Sequence, residues 1–231
     1  MRGFFVTGTG TEVGKTVVAA VLARTLAARG ERVAVFKPAV TGLDEPGETD
    51  HALLRRASGS EQSDEEIAPY RYGPPASPHL AAAAAGEQID PERLRSAARA
   101  AAGTADALVC EGVGGLLVPL VGRVVPPFRE QLAPYLVRDL AVDLGLPVVI
   151  AASPGLGTIN HTLLTVEASR AAGLSVAAVV LTPWPAEPSA IEASNREAIE
   201  ALAATPVHTL PPLDLAAPAT WPPLPADGPQ T

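Results

Sequence analysis

Short apolar runs alternate along the chain with longer stretches in which apolar residues recur every three or four positions. The short runs predict strands at residues 3–7, 32–37, 105–110, 147–152, 175–181 and 207–210. The longer stretches predict helices over residues 15–29, 50–57, 90–102, 135–144, 158–172 and 189–204. Strands that alternate with helices in this way favour an α/β fold built on a mostly parallel sheet.

Two stretches interrupt this alternation. Residues 59–79 are polar and rich in proline, and they are long enough to form a functional loop. The chain from residue 211 onward is again rich in proline, which cannot join a helix interior or a central strand. We therefore expect one domain over residues 1–213 and a proline-rich tail over residues 214–231 that is disordered toward its end.

Composition narrows the class of protein. Of the 231 residues 47% are hydrophobic and 18% are charged, so the chain can bury a core. Its one cysteine, Cys110, excludes an intramolecular disulfide, and its net charge of −8 argues against nucleic-acid binding. No apolar run approaches the roughly 18 residues of a membrane-spanning helix, and the apolar start is too short for a signal peptide. We expect a cytoplasmic protein that binds neither membranes nor nucleic acid.

A glycine-rich loop, Gly8–Thr16, joins the first predicted strand to the first predicted helix. It ends in Gly-Lys-Thr and is one residue longer than the usual phosphate-binding P-loop. Backbone N–H groups at a helix N-terminus favour phosphate, Lys15 supplies a positive charge, and the Thr16 hydroxyl can ligate Mg²⁺. A glycine-rich turn without a ligand is the alternative, but Gly-Lys-Thr at a strand-to-helix junction favours a nucleotide.

Three further residues, Glu111, Lys37 and Asp50, lie at the ends of predicted elements. There they could act together with the P-loop on a bound nucleotide or metal. Glu111 ends an apolar strand and enters a glycine run, and Lys37 ends the second strand. Because the carboxyl ends of parallel strands face one crevice, we expect Lys37 close to Lys15. Asp50 begins a helix and could reach a metal. The alternatives are a Glu111 that faces water, a surface Lys37, and an Asp50 that only caps its helix.

With these residues in place, the chain resembles the ATP-dependent dethiobiotin synthetase family over most of residues 3–213. The resemblance rests on the order and spacing of these segments: Gly8–Thr16, Lys37-Pro38, Thr41-Gly42, Thr49-Asp50, Ser77-Pro78-His79, 111–115 and 155–161. It implies a P-loop NTPase-like, doubly wound and mostly parallel sheet of seven strands with helices on both faces. It also implies a homodimer with the substrate site at the interface.

The resemblance implies a reaction as well. Members of the family convert 7,8-diaminononanoate, CO₂ and ATP to dethiobiotin, ADP and phosphate in biotin synthesis, with Mg²⁺. A carbamate forms first, its phosphorylation gives a mixed anhydride, and the second amine closes the ring. Such a ring closure gains from effective molarity, since both amines belong to one molecule.

The family's roles can be carried over residue by residue. The metal would be held by Thr16, Asp50 and Glu111, and the catalytic residues would be Lys37, Lys15 and Thr11. The substrate would be bound by Thr11, Lys37, Thr41, Ser77, Gly157, Thr158, Ile159 and Asn160. The nucleotide would be bound by Glu12, Val13, Gly14, Lys15, Thr16, Val17, Asp50, Glu111, Gly112, Val113 and Gly114, with Thr182, Pro183, Pro211, Pro212 and Leu213 beside the base.

The chain departs from the family where the base is bound. Many members carry an Asn-Asp pair that reads adenine, whereas this chain has Thr182-Pro183-Trp184-Pro185. Carboxamides are the natural readers of the adenine edge, so we expect other nucleoside triphosphates to serve beside ATP. Residues 211–213 are also altered, and Thr41 keeps the hydroxyl of the usual serine.

Two other classes remain as alternatives. A switch ATPase that acts by binding partners would carry a lysine at the position of Gly10. An amide-forming enzyme of the cobyrinate type would need a cysteine nucleophile to hydrolyse glutamine. Cys110 lies in a buried predicted strand, where a small core residue is the simpler interpretation.

Overall fold

The computed structural model describes residues 2–122 and 134–225. In chain order the strands are β1 (Gly3–Gly8), β2 (Val33–Phe36), β3 (Ala107–Glu111), β4 (Pro119–Val121), β5 (Tyr135–Leu136), β6 (Val148–Ala152), β7 (Val176–Leu181) and β8 (Val207–Thr209). The helices are α1 (Lys15–Ala28), α2 (Asp50–Ser58), α3 (Asp64–Ile67), α4 (Pro78–Ala84), α5 (Pro91–Gly103), α6 (Val137–Leu144), α7 (Thr158–Ala171) and α8 (Ala190–Ala203). A short 3₁₀ helix covers Pro218–Thr220.

The central sheet has the order β2-β3-β1-β6-β7-β8, and every neighbouring pair in it is parallel. After β1 the chain runs outward to β2 and returns to β3. It then crosses to the other side of β1 for β6, β7 and β8. This reversal leaves a crevice at the carboxyl end of β1, which is where doubly wound sheets bind their ligands.

Alternate residues of the strands face opposite layers of helices, as the pleat of a strand requires. In β1, Phe4 and Val6 pack into the apolar cluster that contains α1 and α2. Phe5 faces the other way, into the cluster formed with α4–α8. Both faces of the sheet are therefore covered by helices, which confirms the predicted α/β architecture.

The expectation of seven strands is wrong for the part of the chain that the structure describes, where the parallel sheet has six. Beyond the edge strand β2, a single parallel bridge pairs Val40 with Arg71. Val40 donates to the Tyr70 carbonyl at 2.9 Å and accepts from Tyr72 N–H at 2.8 Å. The next residue toward β2 with the same orientation is Pro38, which has no N–H to extend the ladder.

The structure differs from the periodicity-based prediction at two further places. Residues 135–136 pair with β4 as an antiparallel strand, so the helix predicted from residue 135 begins at Val137. The predicted loop 59–79 contains the short helix α3, which begins at a capping box of Ser63 and Glu66. In this box each residue satisfies a free backbone N–H group at the helix start.

The chain after residue 213 packs on α1 as far as the structure describes it. Trp221 and Leu224 are only 7% and 4% exposed and join the same apolar cluster as Leu22 and Leu26. The Trp221 indole donates to the Asp214 carbonyl at 2.8 Å, and Leu224 N–H donates to Thr25 Oγ1 at 3.2 Å. The end of the tail, residues 226–231, lies outside the described residues, so the expected disorder there stays a prediction. The domain boundary at residue 213 stays a prediction as well.

Among the described helices, none combines the length and the apolar character needed to cross a membrane.

Trp221→Ala should lower the free energy of unfolding by about 3 kcal/mol, because it removes a large side chain from a packed cluster. Urea denaturation monitored by circular dichroism measures the change. Leu202→Ala is a matched control, since Leu202 is 66% exposed and its loss should cost less than about 0.5 kcal/mol. Equal effects for the two variants would show that the tail does not stabilise the domain.

Candidate active site

The glycine-rich loop between β1 and α1 is closely packed. A Cβ atom at Gly8 would lie 2.7 Å from Val13 Cγ2, and one at Gly14 would lie 2.5 Å from Thr182 Cγ2. Gly14 also caps α1 with a φ of 83°, a left-handed conformation that glycine adopts without strain. Lys15 folds back so that its ammonium donates to the Gly10 carbonyl at 2.7 Å. Free amides at the start of α1 and the adjacent ammonium suit this loop to an anion.

Four side chains meet beside this loop. Lys37 Nζ lies 2.7 Å from Glu111 Oε1 and also contacts Asp50 Oδ2. The Thr16 hydroxyl lies 2.8 Å from Glu111 Oε1 and 3.1 Å from Asp50 Oδ1. Each side chain comes from a different element: Glu111 ends β3, Lys37 follows β2, Asp50 begins α2, and Thr16 is in the first turn of α1. We call these four residues the site quartet.

The quartet settles three alternatives that the sequence left open. Glu111 does not face water, since it is wholly buried, and the Lys37 side chain is only 5% exposed. The cap of α2 is Thr49, while the Asp50 carboxylate turns toward Lys37 and Thr16. The charges of Lys37 and Lys15 also act on each other, as expected for lysines in one crevice.

Burial and charge set the protonation of these groups. Burial raises the pKa of Glu111, although Lys37 opposes the shift. Burial also disfavours the charged forms of Lys37 and Asp50, but for Lys37 the attraction of Glu111 and then of Asp50 outweighs it, and for Asp50 the attraction and hydrogen bond of Lys37 do so. The pKa of Asp50 is therefore lowered and that of Lys37 is raised. Burial, helped by the charge of Lys37, lowers the pKa of Lys15 despite the attraction of Glu111.

The quartet fits a magnesium ion that is shared with phosphates. Two carboxylates and a hydroxyl converge, and Glu111 Oε2 is buried without a hydrogen-bond partner. Mg²⁺ prefers oxygen ligands and is usually held by one or two carboxylates together with substrate phosphates. Within residues 2–122 and 134–225, no group of three or more His, Cys, Asp or Glu side chains is arranged to hold a metal by itself. Thr16, Asp50 and Glu111 could thus hold the metal only together with further oxygen ligands.

A second glycine run borders the loop. Gly112 N–H donates to the Val6 carbonyl at 2.8 Å, and a Cβ atom at Gly112 would lie 2.8 Å from Val137 Cγ1. Gly114 has a φ of 61°, and a Cβ atom at Gly115 would meet the Gly8 carbonyl at 3.6 Å. The run of residues 112–115 therefore begins beside β1 and comes next to the start of the P-loop at Gly115.

The two segments expected beside the base lie next to each other. Thr182 is buried against Gly14, and Trp184 N–H donates to the Leu210 carbonyl at 2.8 Å. Leu210 leads directly into Pro211 and Pro212, which are exposed, and into the partly buried Leu213. The Thr182-Pro183 peptide bond is cis. These segments therefore lie together beside the P-loop, with no carboxamide between residues 182 and 185.

The remaining predicted residues make none of the hydrogen bonds of the quartet, within the described part of the chain. Thr11, Glu12, Val13 and Val17 belong to the loop and the first turn of α1, with Thr11 and Glu12 exposed. Thr41 follows the bridge at Val40, and Ser77 caps α4. Gly157 caps α7, and Thr158, Ile159 and Asn160 form its first turn, after β6 at the same edge of the sheet.

Lys15 and Lys37 are the only two lysines of the chain, and both lie in the site. One observation lies beyond what the sequence patterns predict. Asn195 is buried in α8 and donates to the carbonyls of Pro154 and Gly155, just before α7. The signal for Asn195 is its spacing, because it lies one helical turn before the buried Ile199 on the apolar face of α8.

Cys110 does not supply a nucleophile. It is wholly buried in β3, and burial raises the pKa of its thiol well above the ordinary value. A reactive cysteine needs an accessible thiolate. Since this is the only cysteine of the chain, the described structure does not support glutamine hydrolysis.

The fold and the site define a P-loop α/β protein that uses a nucleotide. Residues 2–219 match a family model described as an AAA domain. Three relatives are named ATP-dependent dethiobiotin synthetase, and they come from Anaeromyxobacter dehalogenans, Rhodococcus erythropolis and Bacillus subtilis. They are 47%, 41% and 36% identical to the chain, over 78%, 92% and 90% of it and 76%, 88% and 85% of their own lengths. The chain belongs to the ATP-dependent dethiobiotin synthetase family.

A solved structure of the signal recognition particle 54 kDa protein from Aeropyrum pernix also matches, with a TM-score of 0.49 and 12% identity, over 90% of this chain and 41% of that one.

Lys37→Met should destabilise the protein by about 3 kcal/mol, because it leaves the buried Glu111 without its cation. The loss should shrink as the pH falls, since a protonated Glu111 needs no counter-ion and burial already raises its pKa. Urea denaturation at several pH values measures both effects.

The double variant Lys37→Met/Glu111→Leu should recover most of that stability, as apolar pairs often replace buried ion pairs without loss. Lys15→Met is the matched control, because the Lys15 ammonium donates to a carbonyl. Its loss should be nearer 1 kcal/mol. A double variant as unstable as Lys37→Met alone would contradict the buried-charge explanation.

Proposed function

We propose that the protein is a dethiobiotin synthetase that joins 7,8-diaminononanoate and CO₂ into a cyclic urea at the expense of a nucleoside triphosphate. The observation that carries the proposal is the site quartet beside the P-loop, in a chain of this family. It is an ATP-dependent cyclo-ligase that acts on small molecules in the cytoplasm. The single buried cysteine agrees with a reducing compartment.

The nucleotide phosphates bind the loop and the start of α1, with Lys15 against them. Thr16, Asp50 and Glu111 hold Mg²⁺, which when bound offsets negative charge on the phosphoryl groups. Residues 12–17 and 112–114 surround the phosphates, and residues 182–183 and 211–213 lie beside the base. The close approach of Gly115 to the Gly8 carbonyl supports this placement.

The reaction brings together two anions, the carbamate and the nucleoside triphosphate. The two lysines of the chain offset the repulsion between them. A neutral amine of the substrate attacks CO₂, loses a proton and becomes a carbamate. A carbamate oxygen then attacks the γ-phosphorus, and the nucleoside diphosphate leaves. Lys15 and Lys37 stabilise the negative charge that develops in this step. The second amine attacks the carbamoyl carbon of the mixed anhydride, phosphate leaves, and the ring closes.

The substrate's two ends are assigned to two places. Thr11, Lys37, Thr41 and Ser77 lie around the diamine and its carbamate. The carboxylate of the substrate binds the first turn of α7, residues 157–160, of a second copy of the chain. The Thr158 amide already donates to the Gly155 carbonyl at 3.2 Å, so the amides proposed to receive the anion are those of Ile159 and Asn160, in the first turn of a helix capped by a glycine.

The protein should form dethiobiotin when it is incubated with 7,8-diaminononanoate, bicarbonate, Mg²⁺ and ATP. Mass spectrometry detects the cyclic urea, and an equal amount of ADP should appear. Lys37→Ala should lose product formation by a factor of 1,000 or more, on the order of what removal of one stabilising charge costs. Circular dichroism shows whether that variant is folded. Near-normal turnover by folded Lys37→Ala would remove Lys37 from catalysis, and no product from the unaltered protein would overturn the proposed function.

CTP and GTP should support turnover with kcat/KM within about tenfold of the ATP value. The reason is that residues 182–185 offer no carboxamide, and one bidentate base contact is worth only about 1–3 kcal/mol. The measurement compares the three nucleotides at saturating diamine and Mg²⁺. A preference for ATP above a hundredfold would mean that other groups, such as backbone of residues 182–185 or 211–213, read the base.

A further inference from the structure

The buried amide of Asn195 holds the backbone that leads into α7. Asn195 is 7% exposed, and its Nδ2 donates to the Pro154 carbonyl at 2.9 Å and to the Gly155 carbonyl at 3.1 Å. Its two amide hydrogens thus bind two consecutive carbonyls of the segment between β6 and α7. Because α8 packs on the sheet through Ile199 and Ala203, Asn195 connects this segment to a fixed part of the fold.

The segment 153–157 has few other constraints of its own. Gly155 has open space where a side chain would be, and Leu156 is 94% exposed. Gly157 adopts a left-handed φ of 89° and makes no side-chain cap on α7. Apart from Asn195, a 3.2 Å hydrogen bond from Thr158 N–H to the Gly155 carbonyl closes the turn. The segment has two glycines in five residues, so its backbone can adopt many conformations. That freedom must be restricted if the amides at the start of α7 are to be held in one arrangement.

An asparagine suits this position chemically. Its amide gives two N–H donors without a charge, whereas a carboxylate there would face two carbonyl oxygens that it cannot bond. An apolar residue would remove this donor from both carbonyls; the Gly155 carbonyl would keep its bond from Thr158 N–H, whereas the carbonyl of the buried Pro154 would lose the partner that Asn195 supplies. The polar side chain on the apolar face of α8 therefore has a specific partner.

We propose that Asn195 is a positioning residue for substrate binding. It fixes the segment 153–157 so that the first-turn amides of α7 are set to receive the carboxylate of the substrate. Asn195 does not touch the substrate, and this role rests on the proposed function. Its loss therefore weakens binding of the carboxylate end and leaves the chemistry at the quartet unchanged.

The test compares Asn195→Ala with the unaltered protein. The KM for 7,8-diaminononanoate should rise about tenfold, while kcat and the KM for ATP stay within about twofold. For 7,8-diaminononane, which lacks the carboxylate, KM should not change between the two proteins. Asn195→Gln, which keeps the amide one methylene further out, should restore part of the affinity. Ile199→Val is the matched control, because it perturbs the same face of α8 without touching the segment.

Hydrogen exchange gives a readout that needs no activity. The amides of residues 155–160 should exchange faster in Asn195→Ala and not in Ile199→Val. An unchanged KM for diaminononanoate in an active Asn195→Ala protein, or a KM that rises equally for both diamines, would overturn the positioning role and leave the proposed function intact. If Asn195→Ala does not fold, Asn195→Asp takes its place, because a carboxylate cannot donate to the two carbonyls, and unchanged exchange and KM in that variant would also overturn the role. Absence of product from the unaltered protein would overturn the proposed function and with it the role in substrate binding, whereas the exchange experiment would still show whether Asn195 fixes the segment.

Discussion

The burial of Glu111 is the constraint on which the site depends. A carboxylate that is removed from water needs both a cation and hydrogen-bond donors. Glu111 finds them in Lys37 at 2.7 Å and in the Thr16 hydroxyl at 2.8 Å. These partners come from the end of β2 and from α1, so the register of β2 on β3 and the packing of α1 on the sheet must both be correct. The same packing that folds the domain therefore assembles the quartet.

The parallel order of the sheet explains why these groups meet. With β1 between β3 and β6, the loops that follow all three strands open at one edge. The P-loop, the glycine run after Glu111 and the segment before α7 follow these strands directly. Glycine is needed inside the P-loop, where a side chain at Gly8 would collide with Val13 and Lys15, and where the loop meets the end of β7, since one at Gly14 would collide with Thr182. In the segment before α7, the Asn195 amide adds hydrogen bonds to the Pro154 and Gly155 carbonyls.

Periodicity and motif were enough to predict the α/β class, the strands of the sheet and the convergence of Lys37 with Lys15. They could not predict whether Glu111 faces water, because that depends on how α1 and α2 cover the end of β3. The seventh strand was an inference from the family, and Pro38 shows locally why the edge carries only a bridge. The packing of the tail could not be predicted either, because Leu224 bonds Thr25 of α1, which lies 199 residues earlier in the chain. Asn195 was missed because one polar residue on an apolar helix face does not identify its partner.

The distribution of basic residues follows the different demands of surface and site. The ion pairs at the surface use arginine, as in Arg32 with Asp106 and Arg95 with Asp143, where a planar fork matches a carboxylate. Lysine occurs only at positions 15 and 37. The space among Thr16, Asp50 and Glu111 admits a compact ammonium, whose three donors can contact oxygens that do not share a plane. An ammonium can neutralise the carboxylates in the free protein and then turn to the oxygens of a bound anion. A guanidinium that is paired with one carboxylate through two hydrogen bonds is less able to change partners.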